Sequence, residues 1–266
     1  MITAKIANSF RSWRVEARRL LAANIAPDKI IWTNAESSPS LFDSETTSAA
    51  QNSVLPLRQS RVPIEFLALA EAVACHREQD KWDLLYRLLH RLTHTNKHLL
   101  QIESDPDVRE ANLRAKAIHR DYHKMKAFVR FRKVDCDGAE NYIAWHRPSH
   151  YIVERAAPFF VERFGSMRFS ILTPDACAHW DLENLTFTPG VDRSLAPESD
   201  ELEDFWRAYY AATFNPARLR VKAMKSQMPI KFWRTLPEAE LIPNLINNAK
   251  QRTARMIEKS EQKKKN

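Results

Sequence analysis

The chain has 266 residues, enough for one large domain or two small ones, and is 44% hydrophobic and 28% charged. That mix supports a buried core and excludes a disordered chain. Only Gly138, Gly165 and Gly190 are glycine, far apart, which excludes a Walker loop, a GxGxxG dinucleotide turn and a glycine-rich methyltransferase loop.

Cys75, Cys136 and Cys177 are scattered, with no CxxC pair and no four-cysteine cluster site. The start, MITAKIANSF, has no apolar signal region. No apolar run approaches the roughly 20 residues of a membrane helix. A reducing cytoplasm is the expected compartment.

The net charge of +8 is unevenly spread. Residues 1–113 are neutral overall, 114–134 carry net +7, 135–204 net −9 and 205–266 net +10. Two basic stretches flank an acidic one. Either they neutralise one another in the fold, or the basic ones form a surface for polyanions, mainly nucleic acid.

In chain order, residues 2–6 alternate as a short strand, and Ser9 caps a helix to about Ala23 with Trp13, Ala17, Leu20 and Leu21 on one face. Pro27-Asp28 turns into a second strand, Lys29–Trp32. Residues 34–60, rich in Ser, Thr, Asn and Pro, read as a linker or long loop that tolerates deletion. Pro63 opens a helix with Phe66, Leu67, Ala70, Val73 and Ala74 on its apolar face. Trp82, Leu85, Leu89 and Leu92 repeat the period, and Asp105-Pro106 starts a helix reaching about Lys124.

The middle reads as β. KAFVRFRKV at 126–134 alternates, which puts Phe128, Arg130 and Arg132 on one strand face. Asp137-Gly138 is a hairpin turn, with ENYIAWH at 140–146 as the partner strand. Residues 150–164 are helical with a kink or break at Pro158. MRFSILT at 167–173 is a strand, and 178–188 adds another, broken near Asn184. Glu203–Phe214 is helical, and Pro216, Pro229 and Pro237 punctuate short helices before a charged tail. The expected fold is α+β: an N-terminal strand–helix–strand (1–33), the 34–60 loop, a main domain (61–258) of a helical block, a central antiparallel β-hairpin or sheet and C-terminal helices, then the tail (259–266).

The densest constellation is HRDYHKMKAFVRFR at 119–132. His119 and His123 are four apart on one helical face, spacing that suits a metal, but no third ligand stands out among His146, His150, His179 and Asp181. No metal or other cofactor is therefore assigned. Arg130 and Arg132 beside Phe128 have the arginine–aromatic character of sheets that hold single-stranded bases. In FNPARLRVKAMKSQMPIKFWR at 214–234, a helix from Ala217 aligns Arg218, Lys222 and Lys225, a face able to follow phosphates. Lys231, Phe232, Trp233 and Arg234 strengthen that reading. The run Asp200–Asp204 precedes a helix, where negative charge offsets the dipole. His179 and Asp181 share a strand face, but Ser170 and the cysteines have no base at a diagnostic spacing.

Several long motifs carry a resemblance: FRSWRVEARRLLAANIAPDKIIW, VPIEFLALAEAVACHREQDKWDLLYRLLHRL, HRDYHKMKAFVRFR, YIAWHRP, ERAAPFFVERF, RFSILTPDACAHWD and FNPARLRVKAMKSQMPIKFWRTLPEAELIP. With them the chain resembles a bacterial domain-of-unknown-function family of probable DNA-metabolism or putative DNA-repair proteins. In that family the domain occurs alone, often encoded beside a radical-SAM protein, or as the N-terminal half of proteins whose other half looks like a UdgX-type uracil-DNA glycosylase. The three scattered cysteines cannot supply that enzyme's iron–sulfur cluster, so glycosylase activity is not carried over. The motif positions of most interest are His123, Lys124, Arg130, Arg132, Arg163, Asp181, Asn215 and Arg218.

The expectation is a DNA-metabolism protein, of DNA repair in particular. It binds single- or double-stranded DNA through a basic, aromatic-containing groove of His123, Lys124, Arg130, Arg132, Arg218, Lys222 and Lys225. It serves as an accessory module to a repair enzyme. The alternatives are a metal-dependent or glycosylase-associated DNA-processing enzyme, and an adaptor for a radical-SAM or uracil-DNA glycosylase partner.

Overall fold

A computed structural model describes residues 1–34, 62–136, 139–196, 207, 211, 214–216, 219–249, 251, 253–255 and 257. The expected 34–60 loop, but for Asn34, the Asp137-Gly138 turn, Asp200–Asp204 and Arg218 lie outside these residues. The fold is mixed α+β, and the chain divides into two units, Met1–Arg120 and Asp121–Asn266.

The first unit opens with β1 (Ile2–Ile6), α1 (Phe10–Ala22) and β2 (Ile30–Asn34), the two strands pairing in parallel. Ser9 caps α1, its hydroxyl accepting from the Ser12 N–H at 3.2 Å. At the other end Asn24 takes the left-handed conformation (φ 52°), which a short polar side chain tolerates. The N–H groups of Asn24 and Ile25 then close on the carbonyls of Leu21 and Leu20, both at 3.0 Å, satisfying the last turn. α2 (Ile64–Ala74) and α3 (Lys81–His94) pack their apolar stripes into the core that holds Trp13, Ala17 and Leu20. Trp82, Leu85, Leu89 and Leu92 are all buried there, as their spacing predicts.

Lys81 is also fully buried. Its ammonium donates to Asn8 Oδ1 and to the His76 carbonyl, both at 2.7 Å, and burial pulls its pKa down to about 8.

α4 (Pro106–Phe128) starts where Asp105 accepts from the N–H groups of Asp107 and Val108. It runs past Lys124, which corrects the strand expected over 126–134. The Val129 N–H still bonds to the Met125 carbonyl at 3.1 Å, and Phe128 stacks on Phe232 at 5.2 Å. Phe128, Arg130 and Arg132 therefore do not share a strand face. Phe128 is helical, Arg130 lies in the connection, and Arg132 is the first residue of β3.

The second unit holds a five-stranded sheet in the order β3 (Arg132–Cys136), β4 (Ala139–Trp145), β5 (Phe169–Leu172), β6 (Ala176–Trp180) and β7 (Leu185–Pro189). All neighbours are antiparallel except β4 and β5, which α5 (Val153–Phe164) connects in parallel. α5 continues through Pro158. That residue is exposed and four after exposed Glu154, so the carbonyl it leaves unbonded lies on the outer side of the helix. Its inner face meets the sheet through Phe160 and Phe164, which surround Phe131 together with Phe169.

At the end of β7 the chain passes so close to the β5–β6 connection that a Cβ on Gly190 would sit 2.1 Å from the Pro174 carbonyl oxygen; only glycine fits. After α6 (Val221–Gln227), Pro229 and Pro237 open 3-10 segments at Ile230–Thr235 and Pro237–Leu241, and α7 (Ile242–Asn247) follows. Phe232, Leu236, Ala239 and Ile242 form a small core with Phe128, Met224 and Met228. No helix among the described residues is long and apolar enough to cross a membrane.

Candidate nucleic-acid interface

The 3-10 segment Ile230–Thr235 has three residues per turn, so residues three apart eclipse one another. Lys231 and Arg234 accordingly share one side, while Phe232 points inward and is 2% exposed. Phe232 lies between two rings, Phe128 at 5.2 Å and His146 at 5.1 Å. The indole N–H of Trp233 donates to the Met228 carbonyl at 3.0 Å, which fixes the ring. Arg193 donates to the Arg234 carbonyl at 3.3 Å, adding a guanidinium beside the segment.

On the Lys231 side the ammonium donates to Ser149 Oγ at 2.6 Å and sits 4.7 Å over the Phe232 ring. Burial lowers its pKa, Asp121 opposes that shift, and the cations Lys124 and Arg147 add to it. Asp121, at 4% exposure, accepts from the backbone N–H groups of Ser149 and His150 at 2.7 and 2.9 Å. One carboxylate on α4 thus pins the loop after β4, and Lys124, Arg147 and Lys231 gather around it. Three cations near one carboxylate leave this corner net positive. His146 starts the same loop and is fully buried; burial, then Lys231, lowers its pKa to about 3, so the ring is neutral.

Beyond Trp233 a cleft of about 360 Å³ is lined by Arg132, Trp233, Arg234, Leu236, Pro237, Ala239 and Glu240. Two basic residues line it from separate elements, Arg132 from β3 and Arg234 from the 3-10 segment, together with Trp233, apolar residues and one carboxylate, Glu240. Such a concavity offers phosphate contacts and a stacking surface together.

The residues expected to bind are distributed as follows. His123 is exposed on α4, edge-on to Tyr122 at 6.0 Å, and Lys124 is half-buried near Lys231. Arg132 lines the cleft. Lys222 and Lys225 are exposed on α6, three apart and so on one side, but the helix starts at Val221 and not at the expected Ala217, because Arg220 is extended (φ −123°, ψ 90°). Arg130 is only 17% exposed in its side chain; it pairs with Glu238 at 2.8 Å and donates to the carbonyls of Ala127 and Val129.

Of the other motif positions, Arg163 lies against the Phe164 ring, Asn215 is exposed, and Asp181 caps the β6–β7 turn by accepting from Glu183 and Asn184. Among the described residues no three of His, Cys, Asp and Glu converge as a metal site. His119 and His123 are both exposed on α4. Sequence reasoning passed over Arg147, whose only signal was its place in the YIAWHRP motif, and Ser149, which follows that motif and carried none.

Residues 79–238, over half of the chain, match the model of a family described as a domain of unknown function, DUF4130, and the match takes in parts of both units. No curated protein and no solved structure matches the chain.

Proposed function

We propose, for a chain that belongs to the DUF4130 family of domains of unknown function, that it binds single-stranded nucleic acid at the 3-10 segment Ile230–Thr235 and its surroundings. The carrying observation is the cleft whose lining brings together Arg132, Trp233 and Arg234. An unpaired base stacks on the indole while the guanidinium groups hold neighbouring phosphates. Lys231, with Lys124 and Arg147, extends the cationic track. A duplex, whose bases are already stacked, cannot offer a ring to a concave cleft of this size without opening first.

The resemblance to DNA-metabolism and DNA-repair proteins supports DNA as the nucleic acid. On that reading the chain is an accessory module that presents unpaired DNA to a repair enzyme. A radical-SAM protein or a uracil-DNA glycosylase-like protein is the partner that the resemblance supplies.

The test is anisotropy of a labelled oligothymidylate titrated with the protein. Trp233→Ala is expected to weaken binding by about 1–3 kcal/mol, and Trp233→Phe to keep most of the affinity. Duplex of the same length is expected to compete poorly. Unchanged affinity in Trp233→Ala, with an unchanged melting temperature, would contradict stacking at this cleft.

A further inference from the structure

A second constellation lies on the sheet, away from the 3-10 segment. The strand register puts Ile143, Ser170, His179 and Thr186 in one row across β4 to β7, side chains on one face. In that row Ser170 Oγ lies 2.9 Å from His179 Nδ1. The other ring nitrogen, Nε2, lies 2.8 Å from Thr188 Oγ1, two residues beyond Thr186 on the same face. Ser170 and His179 are half-buried and Thr188 is exposed.

These are the distances at which a base takes a hydroxyl proton and a third group holds the base in orientation. Both ring nitrogens are engaged, so the tautomer with its proton on Nε2 leaves Nδ1 to accept from Ser170. Burial lowers the His179 pKa, which favours the neutral, proton-accepting ring. Arg168 is two residues before Ser170, and its carbonyl accepts from the Tyr142 N–H at 3.0 Å, which continues the ladder and puts its side chain on the same face, where it also interacts with Asp181. A guanidinium on the face of the hydroxyl favours an anionic ester over a neutral one.

We propose that Ser170, His179 and Thr188 form a nucleophile, its base and a positioning residue acting on phosphate diesters. Ser170 Oγ attacks phosphorus, so that the Oγ–P bond forms and the bond from phosphorus to the leaving oxygen breaks. His179 Nδ1 takes the serine proton and returns it to the leaving oxygen. A water then attacks the phosphoserine, giving its proton to the same nitrogen; the Oγ–P bond breaks, and the proton returns to Ser170. Arg168 faces the charge that builds on the non-bridging oxygens. Thr188 holds the ring through Nε2 and does not touch substrate.

This proposal stands apart from nucleic-acid binding, and its test uses small probes only. The full chain is incubated with a fluorophosphonate and, separately, with bis(p-nitrophenyl) phosphate. The expected results are a single adduct on Ser170 and release of nitrophenolate. His179→Gln is expected to lower both rates at least about 100-fold. Thr188→Val is expected to lower them about tenfold and Thr188→Ser to restore them, a rescue that a packing role would not show. Ser170→Ala abolishes the adduct. Should that variant fail to fold, Ser170→Cys replaces it and reacts with iodoacetamide with the same dependence on His179. No adduct on the wild type, an adduct mapped elsewhere, or rates indifferent to His179→Gln would overturn the proposal.

Discussion

Arg130→Ala is expected to destabilise the second unit by about 3–5 kcal/mol, the usual result of stripping one partner from a buried ion pair. The guanidinium pairs with Glu238 at 2.8 Å, and Glu238 is itself 3% exposed. Its second carboxylate oxygen, Oε2, is buried with no hydrogen-bond partner among the described residues, so it depends on Arg130 for compensation. Removing Arg130 leaves a charge in a site that cannot hydrate it. The double change Arg130→Met with Glu238→Leu is expected to recover most of the loss, because an apolar pair of similar volume carries no desolvation penalty. Urea melts of the two variants check this. Equal stability of Arg130→Ala and wild type would show that the pair is solvated. A basic residue in a basic stretch reads as a phosphate contact, yet Arg130 has a carboxylate of its own; its contribution is to hold Glu238 next to the cleft residues Pro237 and Ala239.

The second large effect is expected from pH. His146 is fully buried, and neither ring nitrogen has a hydrogen-bond partner among the described residues. Its folded pKa of about 3 lies far below the ordinary value of 6.5, chiefly through burial. The unfolded chain therefore takes up a proton near pH 6.5 that the folded chain refuses until near pH 3. Stability from this group is fully present above pH 6.5 and is lost as pH falls toward 3, in total on the order of 5 kcal/mol.

His146→Phe keeps a flat ring against Phe232 and removes the titration. At pH 7.5 it is expected to match or exceed wild-type stability, since it also removes two unsatisfied nitrogens. Between pH 6.5 and 4.5 its stability is expected to fall less steeply than that of wild type. Parallel stability–pH curves for the two proteins would contradict the assignment.

How much of this was legible in the sequence depended on whether the deciding contact was local. Ser9, the Trp82–Leu92 stripe and Asp105-Pro106 act within one or two helical turns, and the structure places them as their spacing predicts. The stretch 126–134 satisfied two periods at once. Ala127, Val129 and Phe131 alternate like a strand, while Met125 and Phe128 extend the α4 stripe. The structure resolves the choice through Phe128 stacking on Phe232, a residue remote in sequence.

The same holds for the site. The charge split pointed to 114–134 and 205–266, and Lys124, Arg132, Lys231 and Arg234 come from those stretches. The grip of Asp121 on Ser149 and His150 depends on the loop after β4 returning to α4, and no periodicity announces that. Ser170 and His179 are partners only because β5 and β6 pair in one register.

The most direct measurement of nucleic-acid binding is a salt titration of affinity for single-stranded DNA, wild type against Lys231→Ala with Arg234→Ala. Both side chains lie on one side of the 3-10 segment, and Lys231 is exposed, its ammonium bonded to Ser149 Oγ. Each lost phosphate contact is expected to flatten the slope of log affinity against log salt by about 0.7, so the double variant should lose about 1.4. Its melting temperature should change little. Wild-type affinity indifferent to salt, or a double variant with the wild-type slope, would contradict the account.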